Sequence, residues 1–218
     1  MKQIFPDLWQ TRPEQPLPNV PQLITRAYLI TRPDGNLLIY STGLEDEHRA
    51  IQELGGVSRQ YLSHVDEAGP ALGAIKARFG SELWGHEVEA EAVRKRSGVV
   101  PDRTFSGPET HLSDLEVIPL PGHTPGSTSY LYRSPHGRIY LFTGDTIGRD
   151  KRGVWTAGYL PFSDKANLVA SLGRLAELKP DVVLSSAFGG EHPYAEVTPE
   201  TWRTAIDEAL APLTEAAA

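Results

Sequence analysis

Apolar and polar positions alternate in short runs, broken by turn signals, through the first half of this chain; the second half ends on two long amphipathic stretches. Residues 24–30 and 37–40 are apolar runs on either side of Pro33-Asp-Gly35, which predicts a β-hairpin. Residues 45–54 place Ala50, Ile51 and Leu54 at helical spacing and stop at Gly55-Gly56. A short strand at 60–62 runs directly into Ser63-His64-Val65-Asp66. Beyond Pro70, the positions of Leu72, Ile75 and Phe79 predict a helix, followed by a short strand at Leu83-Trp84 and another helix over 88–96.

The apolar strand 115–120 delivers the chain to Pro121-Gly-His-Thr-Pro-Gly126. Residues 129–132 and 138–142, joined by Ser134-Pro-His-Gly137, predict a second hairpin whose return strand ends at Thr143-Gly-Asp145. Leu168, Val169, Leu172 and Leu175 share one helix face. Trp202, Ala205, Ile206, Ala209, Leu210 and Leu213 share another, in a helix that starts at Thr198 with Pro199 in its first turn. Between them Val182-Val-Leu184 has the length of a buried strand. An α/β (α+β) fold with sheets inside and helices outside would bury all of these stripes. No shift of composition marks a boundary, so residues 1–218 read as a single domain.

Composition narrows the partners. The 218 residues, 39% hydrophobic and 22% charged, fit a soluble globular protein with a sizeable core. The formal net charge is -7, and the basic runs Arg94-Lys-Arg96 and Lys151-Arg152 are too short to track phosphates, so no nucleic-acid partner is expected. No apolar run is long enough to span a bilayer, and the first residues lack the apolar core of a signal peptide; a cytoplasmic location without membrane association follows as the expectation. The absence of Cys removes disulfides and thiolate metal sites alike. A small-molecule substrate is the expected partner, and oligomeric state leaves no mark on the sequence.

Candidate chemistry sits at the two loops just described. His123, on a tight Pro-Gly loop, and Asp145, at the end of a return strand, can converge on one point, and imidazole with carboxylate is a donor pair for a hard or borderline metal ion. The alternative for His123 is a turn histidine bonded to its own loop; for Asp66 it is an ordinary acidic residue at a helix start. His86, just before a helix, reads as structural, and His48, His111 and His136 sit in polar or turn contexts. Trp155, Tyr159 and Phe162 follow Asp145 in a loop over 148–163, where they either line a pocket or cover the core; core cover is preferred.

These motifs, in this order, resemble the metallo-β-lactamase superfamily over residues 24–188. Tyr28-Leu-Ile30 and Leu38-Ile-Tyr-Ser-Thr-Gly43 are similar to its early hairpin, Ser63-His64 to the start of its metal motif, Gly122-His-Thr-Pro-Gly-Ser127 to its third-histidine loop, and Phe142-Thr-Gly-Asp145 to its metal-bridging aspartate. The resemblance implies an αβ/βα four-layer sandwich and hydrolysis of esters, thioesters, lactams or phosphodiesters by metal-activated water. The departures are equally specific. The motif His-x-His-x-Asp-His stands here as His64-Val-Asp66-Glu-Ala68-Gly69, and the strand that usually leads to a last histidine runs into Ser185-Ser-Ala-Phe-Gly-Gly190. The second metal site of the family therefore keeps only its share of Asp145. The first keeps His64, His123 and Asp145, with Asp66 in place of one imidazole, and Glu67 becomes the candidate general base.

The expectation is thus at most one divalent ion, zinc first, with iron or manganese as alternatives, or none if the site is fully eroded. A hydrolase of small esters or thioesters is the leading function. A non-haem Fe(II) dioxygenase built on the 2-His-1-carboxylate set His64, His123 and Asp145 is one alternative, since the superfamily includes persulfide dioxygenases; a catalytically inactive binding module is the other. His192, near the position of the missing last histidine, is a solvated loop residue or a replacement ligand.

Overall fold

The computed structural model describes residues 1–17, 19–20, 23–187 and 193–215. It divides into two compact units, Met1–Ser106 and Gly107–Ala218. Among the described residues the first unit holds a seven-stranded sheet in the order β1 (Lys2–Phe5), β2 (Leu8–Gln10), β3 (Tyr28–Ile30), β4 (Leu37–Ile39), β5 (Arg59–Tyr61), β6 (Glu82–His86), β7 (Arg103–Phe105). The strands β1 to β4 pair antiparallel, and β4 to β7 parallel. The change follows from the connections. Antiparallel neighbours need no crossover helix before β4, whereas α1 (Glu45–Glu53), α2 (Pro70–Phe79) and α3 (Ala90–Ser97) supply the crossovers that parallel neighbours need.

The predicted hairpin around Gly35 is β3–β4, with Tyr28 opposite Ile39 and Ile30 opposite Leu37, and all six of its strand residues are buried. Helix α1 begins and ends within a residue of its predicted span. The stretch predicted as a helix over 88–96 is instead a 3-10 turn, Glu87–Glu89, followed by α3, with the His86 ring accepting the Val88 N–H as a cap. His86 is structural, as its position suggested. Leu62, just after β5, Val65, Leu83 of β6, Leu72 of α2 and Val93 of α3 form a small buried cluster, with Val65 adjoining His64 in sequence.

The second unit's six-stranded sheet has the order β15 (Tyr194–Glu196), β14 (Val182–Ser185), β11 (Ile139–Gly144), β10 (Thr128–Arg133), β9 (Leu115–Pro119), β8 (Glu109–His111). The pair β10–β11 is the second predicted hairpin, its turn closed at Gly137 in the left-handed region, with Tyr130 opposite Phe142 and Tyr132 opposite Tyr140. The parallel β11–β14 pair is reached through α4 (Lys165–Leu175). Leu168, Leu172 and Leu175 of α4 and Trp202, Ala205, Ile206, Ala209 and Leu213 of α5 (Pro199–Thr214) join Leu131, Leu141 and Val183 in one buried cluster. The α5 start is the one expected: Thr198 and Thr201 form a reciprocal capping box on either side of Pro199.

A further stretch differs from expectation. The loop read over 148–163 contains a two-stranded hairpin of its own, β12 (Ile147–Arg149) with β13 (Trp155–Ala157). Its strands are three residues each and mix Gly, Arg and Thr with their apolar positions, so no alternation announces them. No described helix is long and apolar enough to cross a membrane.

Candidate metal centre

Each metal-ligand candidate stands where a buried strand ends. In the first unit β5 delivers Ser63 and His64, both buried, to a 3-10 turn at Val65–Glu67. Glu67 folds back over them. The Ser63 N–H donates to its Oε2 at 2.9 Å, and the Ser63 hydroxyl donates to its Oε1. The Ser63 Oγ also lies 2.9 Å from His64 Nδ1, and Nδ1 is 3.4 Å from Glu67 Oε1. Burial pushes the Glu67 carboxyl above its ordinary value, against the opposing pull of His64 and of the Ser63 hydroxyl and N–H.

The expected roles of Asp66 and Glu67 meet competitors. The Asp66 carboxylate pairs with the Arg96 guanidinium, which also donates to the Val65 carbonyl at 3.2 Å. A guanidinium neutralises the charge a cation would seek, and Asp66 sits in the first turn of the 3-10 helix, the alternative considered for it. Glu67 is the inner partner of Ser63 and His64, and both its oxygens are engaged rather than presented to water.

In the second unit β9 leads into the His123 loop, which closes on itself: Leu120 N–H to Ser127 O at 2.7 Å, and Thr124 N–H to Ser127 Oγ at 2.9 Å. The His123 ring is buried, and Nδ1 lies 2.6 Å from the Gly158 carbonyl. A carbonyl only accepts, so Nδ1 carries the hydrogen, the tautomer in which Nε2 is the nitrogen that can serve as a ligand. That nitrogen is 3.8 Å from Asp145 Oδ2. Asp145 follows β11 in a turn held by Thr143 Oγ1, which donates to Ile147 O at 2.7 Å. Its other oxygen, Oδ1, accepts the Ser186 hydroxyl.

Two glycines make this packing feasible. A Cβ on Gly158 would fall 1.8 Å from the Asp145 carbonyl oxygen and 3.0 Å from His123 Nδ1. A Cβ on Gly122, whose φ is +146°, would fall 2.4 Å from the backbone of Leu168. Neither requirement was read from the sequence: a close approach between distant segments leaves no local signal, although Gly122 was part of the loop motif. Ser186 was likewise visible only as the absence of a histidine. Of the aromatic residues, Trp155 packs against Trp202 at the core, as preferred, whereas Tyr159 and Phe162 are exposed. The Phe162 ring stands edge-on to the His123 imidazole, centroids 6.1 Å apart. His192 lies outside the described residues.

Among the described residues, His64 in the first unit and His123 and Asp145 in the second each offer a ligand atom suited to a metal ion. Two imidazoles and one carboxylate suit zinc or another borderline divalent ion. A family model described as the metallo-beta-lactamase superfamily matches residues 60–186, more than half of the chain, and the chain belongs to that superfamily. Hydroxyacylglutathione hydrolase GloC of Haemophilus influenzae is 27% identical over 184 residues, covering 74% of this chain and 84% of the relative. A hydroxyacylglutathione hydrolase of Brucella ovis is 31% identical over 130 residues, 58% of this chain and 44% of that longer relative. The solved structure of a metallo-beta-lactamase from Pontibacter korlensis matches with a TM-score of 0.75 at 18% identity, covering 99% of this chain and 98% of that one. The mixed α/β fold is that of the metallo-β-lactamases, as the sequence motifs implied.

Proposed function

We propose that this chain is a metal-dependent hydrolase using one divalent ion, zinc first, held by His64, His123 and Asp145, and acting on a small ester or thioester. The observation that carries the single-ion reading is the division of Asp145: one oxygen faces His123, while the other accepts the Ser186 hydroxyl in the region where the family's last histidine is missing. With Oδ1 engaged by Ser186 and only Oδ2 turned toward the His123 imidazole, the arrangement supports a single ion. A divalent ion in this donor set would polarise a substrate carbonyl and acidify water. With Asp66 engaged by Arg96, the ion would keep a net charge of about +1, against roughly zero with a second carboxylate, which favours that chemistry. The chain's own contribution is orientation: the Gly158 carbonyl sets which His123 nitrogen is bare, and the Asp145 turn fixes its Oδ2. The hydroxyacylglutathione hydrolases among the relatives support an acyl substrate.

A second reading has one observation in its favour. Three donors without Asp66 form the 2-His-1-carboxylate set that non-haem Fe(II) uses, with positions left open for oxygen and substrate. Elemental analysis of protein purified without added metal separates the readings. About one equivalent of zinc or manganese, lost in His123→Ala, is the expected outcome. Iron together with substrate-dependent oxygen uptake would transfer the case to the dioxygenase. No metal, with a melting temperature indifferent to chelator, would leave a binding module.

A further inference from the structure

Glu67 is used neither as a ligand nor as a base in the reading above, yet it is buried at the strand end that presents His64. With the Glu67 carboxyl ionised, its hydrogen bonds run in a sequence that admits one direction. A serine hydroxyl has a single hydrogen to donate, and the Ser63 hydroxyl gives it to Glu67 Oε1, while the Ser63 N–H occupies Oε2. At the remaining contact the Ser63 Oγ, 2.9 Å from His64 Nδ1, can only accept. Nδ1 must then carry the imidazole hydrogen, which leaves the lone pair on Nε2.

From this we infer that Glu67 is a positioning residue: through Ser63 it sets the tautomer and ring orientation of His64 so that Nε2 is ready for a cation before any cation arrives. The same outcome is reached at His123 by different means, a backbone carbonyl on Nδ1. Partners on the outer nitrogen of a metal-binding histidine fix its tautomer and raise its basicity. The brace is local, all of it within residues 63–67, and it lies just ahead of Ala68 and Gly69, where the family motif has lost its Asp-His pair. The consequence for metal binding rests on the proposed function; the tautomer itself does not.

Nitrogen NMR on the metal-free full chain, with the His64 signals assigned by their loss in His64→Asn, tests the brace directly. The expected spectrum has Nδ1 protonated and Nε2 bare. In Glu67→Gln the single amide oxygen goes to the Ser63 N–H and the NH2 faces the Ser63 hydroxyl. The hydroxyl hydrogen turns to His64 Nδ1, and the ring hydrogen moves to Nε2. Zinc affinity of that variant, measured by chelator competition, should fall about 10- to 100-fold. A wild-type ring protonated at Nε2, or a folded Glu67→Gln variant with unchanged tautomer and zinc affinity, would overturn the inference. Should the variant fail to fold, the wild-type spectrum still decides. If the wild-type chain binds no zinc while His64 shows the expected tautomer, the metal reading falls and the brace stands.

Discussion

At the scale of single residues, the candidate centre depends on positions that touch no ion. Gly158 is the clearest. Its carbonyl holds His123 Nδ1, and a methyl group there would overlap the Asp145 carbonyl oxygen at 1.8 Å. Backbone rather than side chain must give way, so Gly158→Ala should cost about 3 kcal/mol in urea unfolding and reduce metal content with it. Gly107→Ala, with nothing within 4 Å of the added carbon, is the control and should be close to neutral. Equal midpoints for the two variants would refute the crowding argument. The same scale explains what in the candidate centre is legible in the sequence and what is not. His123 and Asp145 were legible because each sits at a fixed offset from a strand and a glycine turn. For Asp66, which the resemblance offers as a replacement ligand, the Arg96 guanidinium is a competitor from thirty positions away, and nothing near residue 66 advertises its arrival from α3.

At the scale of elements, the turn over residues 158–163 connects the His123 loop to α4. The Ser163 hydroxyl donates to the His123 carbonyl at 2.9 Å, and the Asp164 N–H donates to Gly122 O at 2.8 Å. The turn is therefore fixed, yet it exposes Tyr159, Leu160 and, at 63%, Phe162. Exposed apolar side chains grouped on a fixed turn commonly meet a ligand. Phe162→Ala should leave the melting temperature within error, because little buried surface is lost, while KM for an acyl substrate of the proposed hydrolase rises roughly tenfold, equivalent to about 1.4 kcal/mol. A fall in stability with KM unchanged would place Phe162 in the core-cover role first preferred for it. The elements themselves were largely legible: α1, α4 and α5 declare themselves by spacing and caps, and β3–β4 and β10–β11 by their turns. The hairpin β12–β13 was not, since three-residue strands carry too few positions for a period to emerge.

On the scale of each unit, stability has an acid-sensitive component that can be assigned. Burial works to raise the Asp102 carboxyl, but the Leu83 N–H and the Lys76 ammonium outweigh it and hold it below its ordinary value. A carboxyl depressed in the folded state contributes stability above its unfolded value and loses it as pH falls through the folded one. The contribution joins β6, α2 and the bend leading to β7 within the first unit. The difference in melting temperature between wild type and Asp102→Asn should be largest near neutrality and shrink below about pH 4. A difference that grows with acid would contradict the assignment. The fold of the whole chain was legible through the order of its motifs, which local periodicity alone does not supply; the wiring among side chains was not, because it joins residues far apart in sequence.

The contact of Gly122 with Leu168 carries one last consequence. With no side chain between them, and with Ser171 Oγ donating to the Pro121 carbonyl at 2.7 Å, the histidine-bearing loop and the first turns of α4 behave as a single mechanical body. Such a loop does not swing as a gate, and an incoming ion would find half of its coordination sphere already at rest. Capture there costs little ordering entropy, and amide exchange across residues 120–127 should be as slow after chelation as before it.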